Sequence, residues 1–131
     1  MAADGDGRAV RVLLCDDAAE MRALVRWALE RGATPVEIAG EAGDAPTSVA
    51  LAAEARPDVV VLDLQMPGMT PDALLRAVSA AAPGVPLVTF SGFEPDLVAP
   101  AEVGLVTLHV PKTTDLALVA DAIVGAAADG R

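Results

Sequence analysis

The chain has 131 residues and a formal charge of −10, and it is 53% hydrophobic but only 2% aromatic. That length suits one domain, and a core so poor in aromatics has to be built from Ala, Val and Leu packed between helices and a sheet, which favours α/β over an all-β sandwich. The acidic balance excludes a surface made to hold phosphate backbones, so no direct nucleic-acid contact is expected.

In chain order, residues 1–8 are small and acidic and read as a flexible leader, not a signal peptide. The apolar run "VRVLLCD" (10–16) has strand length, and its single Cys15, which can form no internal disulfide, reads as a small buried hydrophobe. Segment 18–31 spaces Met21, Leu24, Val25, Ala28 and Leu29 as one helical stripe, with Trp27 read as core or helix-packing. A weaker strand, "PVEIAG" (35–40), precedes a helix over 44–55 that Asp44 would cap. The run "VVVLD" (59–63) stops abruptly on a carboxylate and dissolves into "LQMPGM", where Met66 and Met69 would shape a loop; Thr70 and Pro71 then open a helix over 70–82. The run "VPLVTFS" (85–91) is followed by 92–104, where Pro95 is tolerated in a first turn but Pro100 predicts a short or kinked helix. "GLVTLHV" (104–110) is the fifth strand, and a final helix over about 114–127 lines up Leu116, Val119, Ala120 and Ile123 before a flexible tail at 128–131. No apolar segment approaches the roughly 20 residues of a membrane helix, so a cytoplasmic protein with no membrane contact is expected.

Five strand-then-helix alternations with short connections predict one five-stranded parallel sheet, doubly wound, with helices on both faces. Function in such sheets gathers at the carboxyl ends of the strands. The residues there are Asp16 and Asp17, Asp63, Ser91 and Lys112. Three carboxylates at close range repel, and a hard divalent cation such as Mg²⁺ relieves that repulsion. The cation, an ammonium and a hydroxyl would together surround a phosphoryl group carried by the third carboxylate, so Asp63 ends its strand as a nucleophile delivered to the edge.

These residues, each at the end of its own predicted strand, resemble the receiver domain of two-component response regulators over residues 9–127. The resemblance implies the flavodoxin-like (βα)5 fold in strand order 2-1-3-4-5. It makes Asp63 in "LDLQMPGM" the phosphoacceptor, Asp17 a direct Mg²⁺ ligand, Asp16 an outer partner through water, and Gln65 a ligand through its backbone carbonyl. Ser91 in "VTFSG" and Lys112 in "VPKT" match the family's hydroxyl and lysine positions. Implied partners are a sensor histidine kinase or phosphotransfer protein as donor and a downstream protein target or output domain as recipient, with a homodimer possible. The domain would not be an enzyme on separate substrates, though it assists its own phosphorylation and dephosphorylation.

The chain also departs from the family pattern. Where the family has Tyr or Phe three residues before the lysine, this chain has His109, either a smaller-ring version of the switch or a partly exposed strand histidine without a signalling part. Pro111 precedes Lys112 where the family often has proline after it, which puts the usual cis bond there in question. Phe93 occupies a place that in the family tunes dephosphorylation. Two rival readings are a degenerate receiver that binds partners without phosphate, against which the complete acidic and lysine positions speak, and a phosphatase with an aspartyl-phosphate intermediate. The latter usually has a second Asp two residues after the nucleophile, where this chain has Gln65.

Overall fold

In the computed structural model, which describes residues 8–92 and 104–129, the apolar runs become five parallel strands: β1 (Val10–Cys15), β2 (Val36–Ala42), β3 (Val59–Leu62), β4 (Leu87–Ser91) and β5 (Leu108–Pro111). They form one sheet in the order β2-β1-β3-β4-β5, the order the resemblance implies. Four helices lie among the described residues: α1 (Ala19–Glu30), α2 (Ala45–Glu54), α3 (Pro71–Ala81) and α4 (Leu116–Asp129).

Alternation along the strands divides the core in two. Val12 and Leu14 of β1, Val59 and Val61 of β3, and Val88 and Phe90 of β4 face α1 and α4, where Val25, Leu29, Val119 and Ile123 complete one apolar cluster. Leu13, Cys15, Val60, Leu62 and Leu87 face the other way, against Leu74, Leu75 and Val78 of α3 and the small residues Ala45 and Ala52 of α2. A strand that is apolar on both faces therefore belongs to both clusters at once, which is why these runs show no polar alternation. Burial pushes the Cys15 thiol up to about 12, despite a smaller opposing effect of the Ser48 hydroxyl, so it stays an inert thiol.

The helix starts follow from capping. The Asp44 carboxylate accepts from the Thr47 N–H (2.8 Å), and the Thr70 hydroxyl accepts from the Ala73 N–H (3.3 Å). Helix α4 begins at Leu116, later than the spacing predicts, because Asp115 folds back to accept from the Ala117 N–H (2.9 Å) and acts as its cap. Strand β5 starts only at Leu108, since residues 104 and 105 are in a turn; β2 instead runs on to Ala42 through a register shift opposite Val12 and Leu13.

Two expectations for α1 are corrected. Leu24 and Trp27 are 45% and 50% exposed, so neither belongs to the core stripe. The helix buries Val25, Ala28 and Leu29, and at 100° per residue Leu24 and Trp27 fall on its outer side, where the Arg31 guanidinium stacks 4.3 Å from the indole centre. The expectations for Phe93, Pro95 and Pro100 lie outside the described residues.

Candidate functional site: an acidic cluster bridged by one lysine

The register of the central strands sets the geometry. Cys15 of β1 is paired with Leu62 of β3, so the next residue on each strand, Asp16 and Asp63, emerge side by side where the strand order reverses. The Asp63 N–H donates to the Cys15 carbonyl (2.8 Å) and the Asp16 N–H to the Ala42 carbonyl (3.0 Å), which carries the ladder one step past the strand ends. On the other side Ser91 is paired with Pro111, and the Lys112 N–H donates to the Ser91 carbonyl (3.2 Å). Adjacent strand ends thus deliver the acids, the hydroxyl and the ammonium to one edge.

Ligand oxygens of Asp16, Asp17 and Asp63 all lie within 4.8 Å of one another, with Asp16 and Asp63 buried and Asp17 exposed. The Lys112 Nζ sits 2.8 Å from Asp16 Oδ2 and 3.0 Å from Asp63 Oδ2, so one cation bridges the two buried acids. Only the Asp63 contact has hydrogen-bond geometry; the approach to Asp16 is an ion pair at a poor angle, which leaves Asp16 Oδ2 without a hydrogen-bond donor among the described residues. Partial burial of the ammonium works to lower its pKa, but its close pairing with the Asp16 and Asp63 carboxylates outweighs this and raises it above the ordinary lysine value. Asp63 Oδ1 accepts from the Gln65 N–H (2.9 Å).

The buried Ser91 hydroxyl has no hydrogen-bond partner among the described residues, an arrangement that costs free energy unless a ligand supplies one. The donor set is all oxygen, rich in carboxylate and partly open through Asp17, which fits a hard divalent cation and not a soft one.

The structure brings together the Asp16, Asp17 and Asp63 carboxylates and the Lys112 ammonium, and it places Ser91 at the end of the neighbouring strand. Gln65 follows on the same loop with its N–H, not its carbonyl, recorded in contact with the site. His109 is half-buried on β5, opposite Thr89, with its Nδ1 2.7 Å from the Thr89 hydroxyl. Sequence reasoning missed that partner, although Thr89 stands two residues before Ser91 and hence on the same face of β4. Every peptide bond among the described residues is trans, including those beside Lys112.

The loop after Asp63 is pinned at several points. Met66 is buried with its sulfur 4.0 Å from the Ser48 hydroxyl, and the Pro67 carbonyl accepts from the Ala45 N–H (2.9 Å). Gly68 adopts φ 109°, and a Cβ there would lie 2.8 Å from the Pro46 ring.

A sequence model of the response regulator receiver domain matches residues 12–123. The chain belongs to the response regulator receiver family. It is 43% identical over 111 residues to protein-glutamate methylesterase/protein-glutamine glutaminase 5 of Myxococcus xanthus, an alignment that covers 82% of this chain and 31% of that protein. The chain thus spans under a third of the length of such relatives. Among solved structures, a LuxR-family two-component response regulator from Aurantimonas sp. SI85-9A1 is 26% identical, with a TM-score of 0.80 over 93% of this chain and 87% of that one. The response regulator domain of Thermotoga maritima CheB, at 23% identity, has the same fold, with a TM-score of 0.75 over 94% of this chain and 96% of that one. No helix among the described residues is long and apolar enough to cross a membrane.

Proposed function

We propose that this receiver accepts a phosphoryl group on Asp63 from a phosphohistidine of a sensor kinase or phosphotransfer protein, and that the acyl phosphate changes how the domain binds a downstream protein or output domain. The observation that carries this reading is the single Lys112 ammonium shared between two buried carboxylates, with a third carboxylate within 4.8 Å. Three carboxylates sharing one ammonium keep a net negative charge, which suits a cationic ligand and the anion that comes with it.

Asp63 attacks phosphorus in line; the new bond is carboxylate oxygen to phosphorus, the bond that breaks is phosphorus to imidazole nitrogen, and the leaving imidazole takes the electron pair. Asp17 and Asp63, the Gln65 backbone carbonyl and, through water, Asp16 would hold Mg²⁺, which would supply charge neutralisation for the phosphoryl oxygens. Lys112, already beside Asp63 Oδ2, follows the charge onto the phosphoryl group. The Ser91 hydroxyl, which has no hydrogen-bond partner among the described residues, donates to a phosphoryl oxygen. Its shift toward that oxygen is felt along the same face of β4 at Thr89, and through the Thr89 hydrogen bond at His109, which gives the half-exposed imidazole a place in the switch. Water later attacks phosphorus and returns free Asp63 and inorganic phosphate.

Incubation with acetyl phosphate, or with a phosphorylated kinase, followed by intact-mass measurement tests the reading. The expected result is the gain of one phosphoryl group that disappears with a chelator and in Asp63→Asn. Failure with every donor would leave a phosphate-independent binding module.

A further inference from the structure

The loop that carries Asp16 and Asp17 is held by one side chain of its own and by one from α1. The residue before α1 is Ala18, whose side chain cannot cap the helix; Asp16 Oδ1 instead accepts from the Ala18 N–H (2.9 Å). Residue pairing ends at Cys15 on both sides and the ladder's next step uses the Asp16 N–H, so the Asp16 carbonyl takes no backbone bond of the ladder among the described residues. That carbonyl is taken by Arg22. One turn into α1, the Arg22 guanidinium reaches back and donates from Nη1 to the Asp16 oxygen, while its Nε donates to Glu41 Oε1 (3.0 Å) at the end of β2. Glu41 is held from its other oxygen by Arg26, and the Arg22 side chain is only 19% exposed.

We infer that Arg22 is a positioning residue for the acidic cluster: by clamping the Asp16–Asp17 peptide to Glu41 it fixes where the exposed Asp17 carboxylate points, and so sets the affinity of the site for a divalent cation. The planar fork suits this task, since one rigid group meets a carbonyl and a carboxylate at once. The inference rests on reading the cluster as a Mg²⁺ site.

The sign of the effect separates this role from the alternatives. Arg22 is itself a cation touching the Asp16 backbone, so electrostatics alone predicts that Arg22→Ala binds Mg²⁺ more tightly. A purely structural bridge from α1 to β2 predicts a lower Tm with affinity unchanged. Positioning predicts weaker binding despite the lost positive charge, by about 10-fold, the scale on which groups supporting metal ligands act.

The experiment is a Mg²⁺ titration of ¹⁵N-labelled wild type, Arg22→Ala and Arg22→Lys at constant ionic strength, followed by amide shifts. The inference expects Arg22→Ala to bind about 10-fold more weakly, and Arg22→Lys, which keeps the charge but not the fork, to recover part of the loss at most. Wild-type affinity or tighter in Arg22→Ala overturns it. If that variant does not fold, Arg22→Lys decides, and full wild-type affinity there overturns it equally. A wild type that binds no Mg²⁺ overturns the metal reading itself, and this inference with it.

Discussion

Replacing Asp63 by Asn in the metal-free protein should make the fold more stable, not less. The side chain is buried and takes part in three close electrostatic contacts. Its attraction to the Lys112 ammonium at 3.0 Å is about 5–6 kcal/mol at an effective dielectric of ~20. Repulsion from Asp16 and from Asp17, each within 4.8 Å, is at least about 3.5 kcal/mol apiece on the same scale. The two repulsions together exceed the one attraction by about 1–2 kcal/mol. The Gln65 N–H keeps an acceptor in Asn, though a neutral one, and the weaker bond returns about 0.5–1 kcal/mol of that gain. The net expectation is a stabilisation of about 1 kcal/mol, or a rise in Tm of roughly 3–5 °C for a domain of this size. Thermal unfolding of both proteins in a chelator measures it directly. Titrating in Mg²⁺ should then stabilise the wild type by mass action and leave Asp63→Asn behind, so that the order reverses. A variant that is less stable than wild type in the chelator would refute the argument, because the Lys112 pair would then outweigh the repulsion it relieves.

Other consequences concern the frame around the site. Arg56 sits at φ 51° just after α2, while its carbonyl accepts from Arg11 Nε (3.2 Å); Arg56→Gly keeps that bond, removes the left-handed strain and should gain about 0.5–1 kcal/mol, read as a higher urea midpoint. Gly68→Ala has the opposite sign. It forces a Cβ against the Pro46 ring at φ 109° and should cost about 2 kcal/mol or more, so an unchanged midpoint would sink the reading of that loop as tightly pinned. The raised pKa of Lys112 means that its folded-state pairs contribute fully below the ordinary lysine value and that this contribution is lost as pH climbs through the folded value. Alkaline unfolding of Lys112→Met should therefore lack the part of the pH dependence that wild type shows in that window.

Much of this was legible in the sequence because the signals are local and redundant. A buried parallel strand must be apolar on both faces, so runs such as Val59–Leu62 announce themselves, and a carboxylate or hydroxyl placed three residues before a helical N–H caps it, as Asp44 and Thr70 do. The site residues were legible for a related reason, since each stands immediately at or after the end of an apolar run. What the sequence concealed depends on angle and on long side chains. Leu24 has helical spacing yet falls off the buried arc of α1, and Trp27 lies on the side away from it. The pairing of His109 with Thr89 depends on the β4–β5 register, and the reach of Arg22 to Asp16 and Glu41 spans two elements that no spacing rule connects. A lysine shared by two acids is likewise a product of geometry, since Lys112 lies 49 residues from Asp63 along the chain.

The most direct test of the central claim is to locate the phosphoryl group chemically. After phosphorylation in Mg²⁺, borohydride reduction converts an aspartyl phosphate to homoserine, and peptide mapping reads its position. The account predicts homoserine at Asp63 alone, absent when a chelator precedes the donor. Label at Asp16 or Asp17, a phosphoryl group retained on His109, or no modification from any donor would contradict it.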